Sequence, residues 1–170
     1  AGYDGINLHS AHAYLLDQFF SPLINKRTDA YNGYTLEGRT RIHMELIKGI
    51  RQVIGDKSLF ALRLGGCDYT VGGTTIEDAV WACRRFEEAG VDLLDISGGT
   101  CCYARKGHNY PGYFGDISEA VKKEVHIPVL LTGGVRTVQD AEMLLKEEKA
   151  DMIGVGRIIT AKPDWGMELI

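Results

Sequence analysis

The stretch that decides the fold is residues 4–18, DGINLHSAHAYLLDQ, near the start of a chain of 170 residues. Within it, residues 5–8 predict a short buried strand. The turn after this strand carries His9, His12 and Tyr14, whereas a doubly wound sheet has its glycine-rich phosphate turn at this place. The stretch therefore favours a parallel architecture whose glycines follow later strands.

Strands and helices alternate along the rest of the chain. Further strands are predicted at the apolar runs 59–64, 91–96, 127–131 and 151–155. Helices are predicted at 35–54, 75–89, 116–125, 137–149 and 164–170. Thr75 and Thr137 are the expected N-caps of two of them. This alternation implies right-handed strand–helix–strand units and a parallel sheet.

Glycines close the later strands, at 65–66, 98–99, 133–134 and 156. A (β/α)8 TIM barrel places its functional groups at the carboxyl ends of its strands and binds phosphate after strands seven and eight. The glycine pattern favours this barrel over the doubly wound sheet. Because a barrel needs eight strands and ~250 residues, we expect residues 1–170 to be the carboxyl-terminal part of one domain, carrying strands four to eight.

The composition excludes several classes of protein. Hydrophobic residues make up 45% of the chain and charged residues 25%, which is typical of a folded domain. A net charge of −4 gives no electrostatic reason to expect nucleic acid or an anionic membrane as a partner, and no apolar run is long enough to span a bilayer. The cysteines form no C-x-x-C pair, so we expect free thiols and a cytoplasmic location.

His9, His12 and Tyr14 bring three hydrogen-bonding side chains to the end of one strand. Two imidazoles can donate hydrogen bonds to a developing negative charge on oxygen, and a phenol can act as an acid at a neighbouring atom. The structural alternative is a satisfied strand-end histidine, a turn residue and a core ring. We favour the functional interpretation because all three lie within six residues.

Gly133, Gly134, Gly156 and Arg157 follow the last two strands. Glycines allow backbone N–H groups to approach a phosphate, and a guanidinium binds it with two hydrogen bonds. The alternative is that the glycines only form turns and that Arg157 is exposed to solvent. Two glycine turns and an arginine on adjacent strands indicate an anion site.

Arg63 interrupts the apolar strand LFALRL. A buried charge must be paired or must serve a ligand. Within a barrel, Arg63 would set a permanent positive charge against an electron-accepting ring. It would equally form a structural salt bridge with Asp95 on the next strand, and the spacing alone does not decide between these roles.

Other charged residues are expected to be structural, so no metal site is predicted. Asp92 and Asp151 are expected at the strand entrances, on the face of a barrel that serves stability. Arg39 is expected in a solvated, salt-bridged loop anchor. His43 is expected at the surface of its helix.

With these residues in view, the chain resembles the old yellow enzyme family of FMN-dependent NAD(P)H:flavin oxidoreductases. The resemblance covers essentially the whole chain. It rests on HSAHAYLLDQFFSPLINKRTDAYNGYTLEGR at 9–39, ALRL at 61–64, EEAGVDLLDISGG at 87–99, IPVLLTGGV at 127–135 and DMIGVGRIITAKPDW at 151–165. The chain departs from the family at Asn7, at Ala13 and in YNGYTLEGR, where members often have Glu, Gly and YGGS-x-ENR.

The resemblance implies a TIM barrel with FMN at its carboxyl-terminal mouth and a role for each residue singled out above. His9 and His12 would hydrogen-bond the carbonyl or nitro oxygen of the substrate, and Tyr14 would donate the proton. Arg63 would face the flavin N1–C2 edge. The FMN phosphate would be held by Gly133, Gly134, Gly156 and Arg157.

The expected activity is hydride transfer from NADH or NADPH through FMN to a small molecule with an activated double bond. One alternative is a non-redox, phosphate-binding isomerase or lyase with His9 or His12 as base, and another is an inert part of a larger protein. Five strands do not close a barrel, so we expect residues 1–170 alone to be inactive, to bind FMN weakly or not at all, and either to associate with another copy or to expose a large apolar surface. The oligomeric state is left open between a monomer and a homo-oligomer.

Overall fold

Five parallel strands form one sheet in the order in which they occur along the chain. The computed structural model describes residues 2–169, and its strands are β1 (Gly5–Ser10), β2 (Leu59–Gly65), β3 (Leu93–Ser97), β4 (Val129–Thr132) and β5 (Met152–Gly154). A doubly wound sheet reverses its strand order at a switch point, whereas this sheet runs β1-β2-β3-β4-β5 without reversal. The observed order is that of consecutive strands in a barrel, as predicted.

Helices connect the strands, as the alternating pattern predicts. They are α1 (Leu15–Phe20), α2 (Leu36–Ile54), α3 (Ile76–Glu88), α4 (Gly115–Lys122), α5 (Val138–Lys146) and α6 (Arg157–Ala161), followed by a 3₁₀ helix at Trp165–Leu169. Thr75 and Thr137 begin capping boxes, which confirms both predicted N-caps. The short helices α1 and α6 were not predicted, and the helix expected at 164–170 is the 3₁₀ turn, with Ile170 outside the described residues.

The two faces of the sheet have different surroundings because successive side chains of a strand alternate. Phe60, Leu62 and Leu64 of β2 are fully buried in the core with the helices. The opposite face, which we call the inner face, carries the cross-strand row His9, Arg63, Asp95, Leu130 and Met152.

The inner face and the edges of the sheet are only partly covered. Within the described sheet, β1 and β5 each pair with a single neighbouring strand. Leu59 and Met152 are 50% and 45% exposed. This is the exposure of apolar side chains expected for five strands of an eight-stranded barrel.

Asp92 and Asp151 occupy equivalent places just before β3 and β5, which confirms their assignment to the strand entrances. Asp92 Oδ2 accepts a 2.8 Å hydrogen bond from the backbone N–H of Phe60 and pairs with Arg51. Asp151 Oδ2 accepts a 2.9 Å bond from the backbone N–H of Val129, while its other oxygen pairs with Lys122. These bonds hold strand starts at the end of the sheet opposite the glycine turns.

The expectations for His43 and Arg39 were wrong, because both side chains are buried. They lie four residues apart on α2 and continue to Ile47, so they belong to the helix stripe that packs on the core. His43 Nε2 lies 2.6 Å from Ser10 Oγ. The Arg39 guanidinium lies 2.9 Å from the Asp78 carboxylate, so each of the two side chains is buried with a partner, while Arg39 Nε and His43 Nδ1 have none among the described residues.

We predict a pH-dependent contribution of His43 to stability. Burial lowers the pKa of His43 from 6.5 to about 4. Between pH 6.5 and 4, His43 is protonated in the unfolded chain but stays neutral in the folded chain. The free energy of unfolding therefore decreases as the pH falls from 6.5 toward 4. We expect the free energy of unfolding of the parent to fall by about 3 kcal/mol more over this range than that of His43→Gln.

Urea titrations at several pH values test this prediction. His43→Gln keeps a hydrogen-bonding side chain toward Ser10 but does not titrate. His126→Gln is the matched control, since the His126 side chain is 96% exposed. Parallel stability–pH curves for the parent and His43→Gln would show that His43 is not held neutral in the folded chain.

Candidate active site at the carboxyl end of the sheet

The turn between β1 and α1 has an unusual backbone. His12 and Ala13 have φ values of 61° and 60°, in the left-handed region that few residues other than glycine adopt. Tyr14 follows as the N-cap of α1 with extended backbone angles. The turn therefore directs His12 and Tyr14 away from the path that a simple strand-to-helix connection would give them.

The three predicted side chains meet above the end of β1. The His9 and His12 ring centroids are 5.3 Å apart, and those of His9 and Tyr14 are 5.4 Å apart, both in edge-on geometry. Tyr14 is 64% exposed, so it is not a core ring. The structure thus brings His9, His12 and Tyr14 together at an accessible surface.

Both histidines of this group are held in the neutral form. Burial, with the positive charge of Arg63, lowers the pKa of His9. Burial, then Arg63 and then His9, lower the pKa of His12 from 6.5 to about 4. At neutral pH each ring is a neutral hydrogen-bonding group, and a base with the pKa of His12 is poorly matched to proton abstraction.

Ser97 supports His12 from the end of β3. The Ser97 hydroxyl lies 2.8 Å from His12 Nε2 and is buried. Sequence reasoning missed Ser97. The available signal was strand alternation, because Asp95 and Ser97 share the inner face of β3.

Arg63 forms the predicted ion pair with Asp95 and also lines a cavity. Its guanidinium lies 3.6 Å from the Asp95 carboxylate and donates a 3.2 Å hydrogen bond to Thr132 Oγ1. Burial raises the pKa of Asp95, and Arg63 opposes this shift. Nε of Arg63 and Oδ1 of Asp95 are buried with no hydrogen-bond partner among the described residues. The ion pair is therefore present, but it leaves one buried donor and one buried acceptor unsatisfied among the described residues.

A cavity of about 620 Å³ lies at the carboxyl ends of β2 to β5. Its lining includes Arg63, Asp95, Ser97, Tyr103, Tyr113, Thr132, Gly133, Gly134, Gly156 and Arg157. Four of the five residues predicted to bind a cofactor line it near β4 and β5, and Arg63 lines it near β2. His12 adjoins it through Tyr103, whose ring centroid is 6.4 Å away.

The glycines after β4 allow the backbone to lie close to Tyr113. Gly133 and Gly134 have φ values of 126° and 75°, and a Cβ atom at Gly134 would lie 2.6 Å from the Tyr113 ring. Arg157 Nη2 donates a 3.0 Å hydrogen bond to the Tyr113 hydroxyl, so this exposed guanidinium is anchored. Tyr113 lies in a long connection with no strand or helix periodicity, and sequence reasoning missed it.

The residues of the cavity fit FMN. A volume of about 620 Å³ lies within the range of small-molecule and cofactor sites. Arg63 offers positive charge at one end, where the electron-accepting ring would lie, and its Nε is a buried donor with no partner among the described residues. At the other end, apart from its chain neighbours and the adjoining helix backbone, no described atom lies within 4 Å of a Cβ built on Gly156, and Arg157 is adjacent. This end is open to a phosphate beside a guanidinium.

Other kinds of site receive no support from residues 2–169. No group of three or more His, Cys, Asp or Glu side chains in this range is arranged to hold a metal ion. None of the helices in it combines the length and apolar character that a membrane crossing needs. The four cysteines are free thiols.

Comparison with known proteins agrees with this site. The family described as NADH:flavin oxidoreductase / NADH oxidase matches residues 1–169. The chain is 39% identical over 168 residues to NADPH dehydrogenase from Halalkalibacterium halodurans, covering 99% of this chain and 48% of that protein. It is 36% identical over 169 residues to NADH oxidase from Thermoanaerobacter brockii, covering 97% of this chain and 26% of that protein.

Solved structures show the same fold. The complex of 2-naphthoyl-CoA reductase with 2-naphthoyl-CoA superposes with a TM-score of 0.89 at 28% identity, covering 99% of this chain and 26% of that one. The old yellow enzyme homologue from Zymomonas mobilis gives 0.78 at 23% identity, covering 99% and 46%. These neighbours are TIM-barrel enzymes, so the five strands are part of such a barrel. The chain belongs to the NADH:flavin oxidoreductase / NADH oxidase family, whose members use FMN with NAD(P)H as the hydride donor.

Proposed function

We propose that the protein is an ene-reductase that reduces an activated carbon–carbon double bond, as in an enone or enoate. The substrate, NAD(P)H and a proton give the saturated product and NAD(P)⁺. The observation that carries the proposal is the convergence of His9, His12 and Tyr14 beside a cavity that contains Arg63. FMN would supply the hydride-transfer chemistry between NAD(P)H and the β-carbon of the substrate when bound near Arg63, Gly133, Gly134, Gly156 and Arg157.

The side chains of this chain perform the remaining tasks. His9 and His12, both neutral at pH 7, donate hydrogen bonds to the activating oxygen and stabilise the negative charge that develops there. Tyr14 delivers a proton to the α-carbon. Arg63 stabilises negative charge on the reduced cofactor, and Gly133, Gly134, Gly156 and Arg157 hold its phosphate.

The substrate class follows from the donors and is supported by one relative. Two neutral hydrogen-bond donors suit a carbonyl or nitro oxygen, which gains charge when hydride adds to the conjugated double bond. The neighbour with a TM-score of 0.89 is named for 2-naphthoyl-CoA, whose carbonyl is conjugated with an aromatic ring. The partner is thus a small molecule, and the proposed setting is the cytoplasm.

Visible absorption of the complete barrel tests the proposal against its main alternative. A flavin band that bleaches anaerobically with NADPH and returns on addition of 2-cyclohexenone is the expected result. A colourless protein that isomerises or cleaves a phosphorylated substrate would instead indicate the non-redox barrel. The lowered pKa of His12 already argues against His12 as the base of such a reaction.

Arg157→Ala is expected to loosen FMN with little change in fold. Arg157 is exposed, so few packing contacts are lost, while a charge-assisted bond to phosphate disappears. We expect the FMN dissociation constant to rise roughly 10- to 100-fold, measured by fluorescence titration of the apoprotein. Arg84→Ala is the matched control, because Arg84 is an exposed arginine on α3 paired with Glu124. FMN that survives dialysis in Arg157→Ala as in the parent would exclude Arg157 as a phosphate ligand.

A further inference from the structure

The left-handed turn that carries His12 needs something to hold it. His12 and Ala13 both have positive φ, and neither is a glycine. Such backbone conformations cost free energy and persist only where surrounding bonds enforce them. The backbone N–H of His12 makes a long bond of 3.4 Å to the Gly98 carbonyl, which is weak support for a strained turn.

Two consecutive side chains of α1 bind Ala13 from both sides. The Ala13 backbone N–H donates a 2.7 Å hydrogen bond to Asp17 Oδ2. The Gln18 side-chain amide donates a 2.7 Å bond to the Ala13 carbonyl. The strained residue is therefore held at its donor and at its acceptor by the first turns of the helix that follows it.

Burying the Asp17 carboxyl at this position costs free energy. Its side chain is buried, and Oδ1 has no hydrogen-bond partner in the part of the chain that the structure describes. Burial, with the nearby carboxylate of Asp68, raises the pKa of Asp17 to about 7. Oδ1 lies under β2, where a Cβ atom at Gly65 would come within 2.7 Å of it. A buried carboxyl of this kind costs stability, so its bond to Ala13 has a use beyond stability.

The neighbouring Asp68 provides a contrast. Its carboxylate accepts hydrogen bonds from Ser21, Thr74 and Thr100, and this is an ordinary structural role. Among the described residues, the Asp17 side chain makes one hydrogen bond, and its partner is the strained turn.

We propose that Asp17 and Gln18 are positioning residues that fix the left-handed turn at His12 and Ala13, and so set the place of His12 relative to His9 and Tyr14. Neither lines the cavity, so they act through the turn. The inference rests on the proposed function, because the proposed function is what assigns His12 its role.

Hydrogen-exchange mass spectrometry on the protein as purified tests the proposal. Asp17→Ala should speed exchange in peptides covering residues 11–14 by roughly 10- to 100-fold, since a buried hydrogen bond is lost. Asp17→Asn keeps an acceptor oxygen for the Ala13 N–H and should restore slow exchange. Gln18→Ala should give a smaller increase. Asp92→Ala is the matched control, since it also removes a carboxylate that accepts a backbone N–H, at the opposite end of the sheet.

Turnover of the FMN-loaded barrel supplies the second measurement. Asp17→Ala should lower kcat for 2-cyclohexenone, Asp17→Asn should restore it, and Asp92→Ala should lower stability alone. Should Asp17→Ala fail to fold, Gln18→Ala decides, because Gln18 is exposed. Unchanged hydrogen exchange at residues 11–14 in Asp17→Ala would overturn the proposal. If Asp17→Ala does not fold, unchanged exchange in Gln18→Ala would overturn it. The exchange measurement needs neither flavin nor turnover, so its failure is distinct from failure of the proposed function.

Discussion

Tyr14→Phe is expected to slow the reduction of 2-cyclohexenone by about 10²–10⁴-fold, the usual contribution of a positioned general acid. Phenylalanine keeps the ring that lies against His9 and removes only the hydroxyl. Tyr14 makes no side-chain capping bond within the described chain, so the stability of α1 should not change. Rapid mixing should show that NADPH reduces the flavin as fast as in the parent, while reoxidation by the enone is slow.

Tyr34→Phe is the control for the loss of an exposed phenol, since Tyr34 is 73% exposed and lies outside the cavity. Its two half-reactions should match those of the parent. A Tyr14→Phe variant with an unchanged rate of enone reduction would show that the proton comes from another donor. Slow reduction of the flavin by NADPH would show that Tyr14 serves the nicotinamide instead.

His9→Ala and His12→Ala are each expected to lower kcat/KM for the enone by about 10²–10³-fold, or ~2.7–4 kcal/mol of transition-state stabilisation. Each variant removes one donor to the oxygen on which charge develops. Phenolate ligands such as 4-hydroxybenzaldehyde should bind more weakly to both, as followed by titration of the flavin spectrum. His126→Ala, at a fully accessible surface position, should have no effect.

The lowered pKa values also predict how kcat/KM should change with pH. Because the pKa of His12 is lowered to about 4, raising the pH through 6.5 should not remove positive charge from this ring, and kcat/KM should not fall there on its account. A loss of kcat/KM across this interval that disappears in His12→Asn would show that the imidazolium is the active form. Unchanged ligand affinity and turnover in both alanine variants would exclude the pair from the site.

Much of the site was predictable because its residues follow the carboxyl ends of parallel strands. The carboxyl ends of consecutive parallel strands meet at one edge, so His9, Arg63 and the glycines after β4 were expected to lie near one another. The register of the sheet pairs His9 with Arg63, which places both on the inner face. The alternation of apolar runs likewise gave every strand, with bounds that differ by one or two residues at most ends.

The rest depends on contacts between residues far apart in the chain. His43 has the spacing of either a surface or a buried helix position, and its burial depends on Ser10, 33 residues away. The left-handed turn at His12 is held by side chains rather than by glycine, so no turn motif marks it. Tyr113 lies in an irregular connection and is brought to Arg157 only by the closure of β4 beside β5.

The origin of the two added hydrogens tests the central claim most directly. The complete, FMN-loaded barrel reduces 2-cyclohexenone with NADPH in D₂O, and NMR locates deuterium in the product. Hydride delivery through FMN with protonation by the exchangeable Tyr14 hydroxyl predicts deuterium at the α-carbon and the hydrogen of NADPH at the β-carbon. Product with no deuterium at the α-carbon, or no product from a protein that contains reduced flavin, would contradict the assignment of this site to ene reduction.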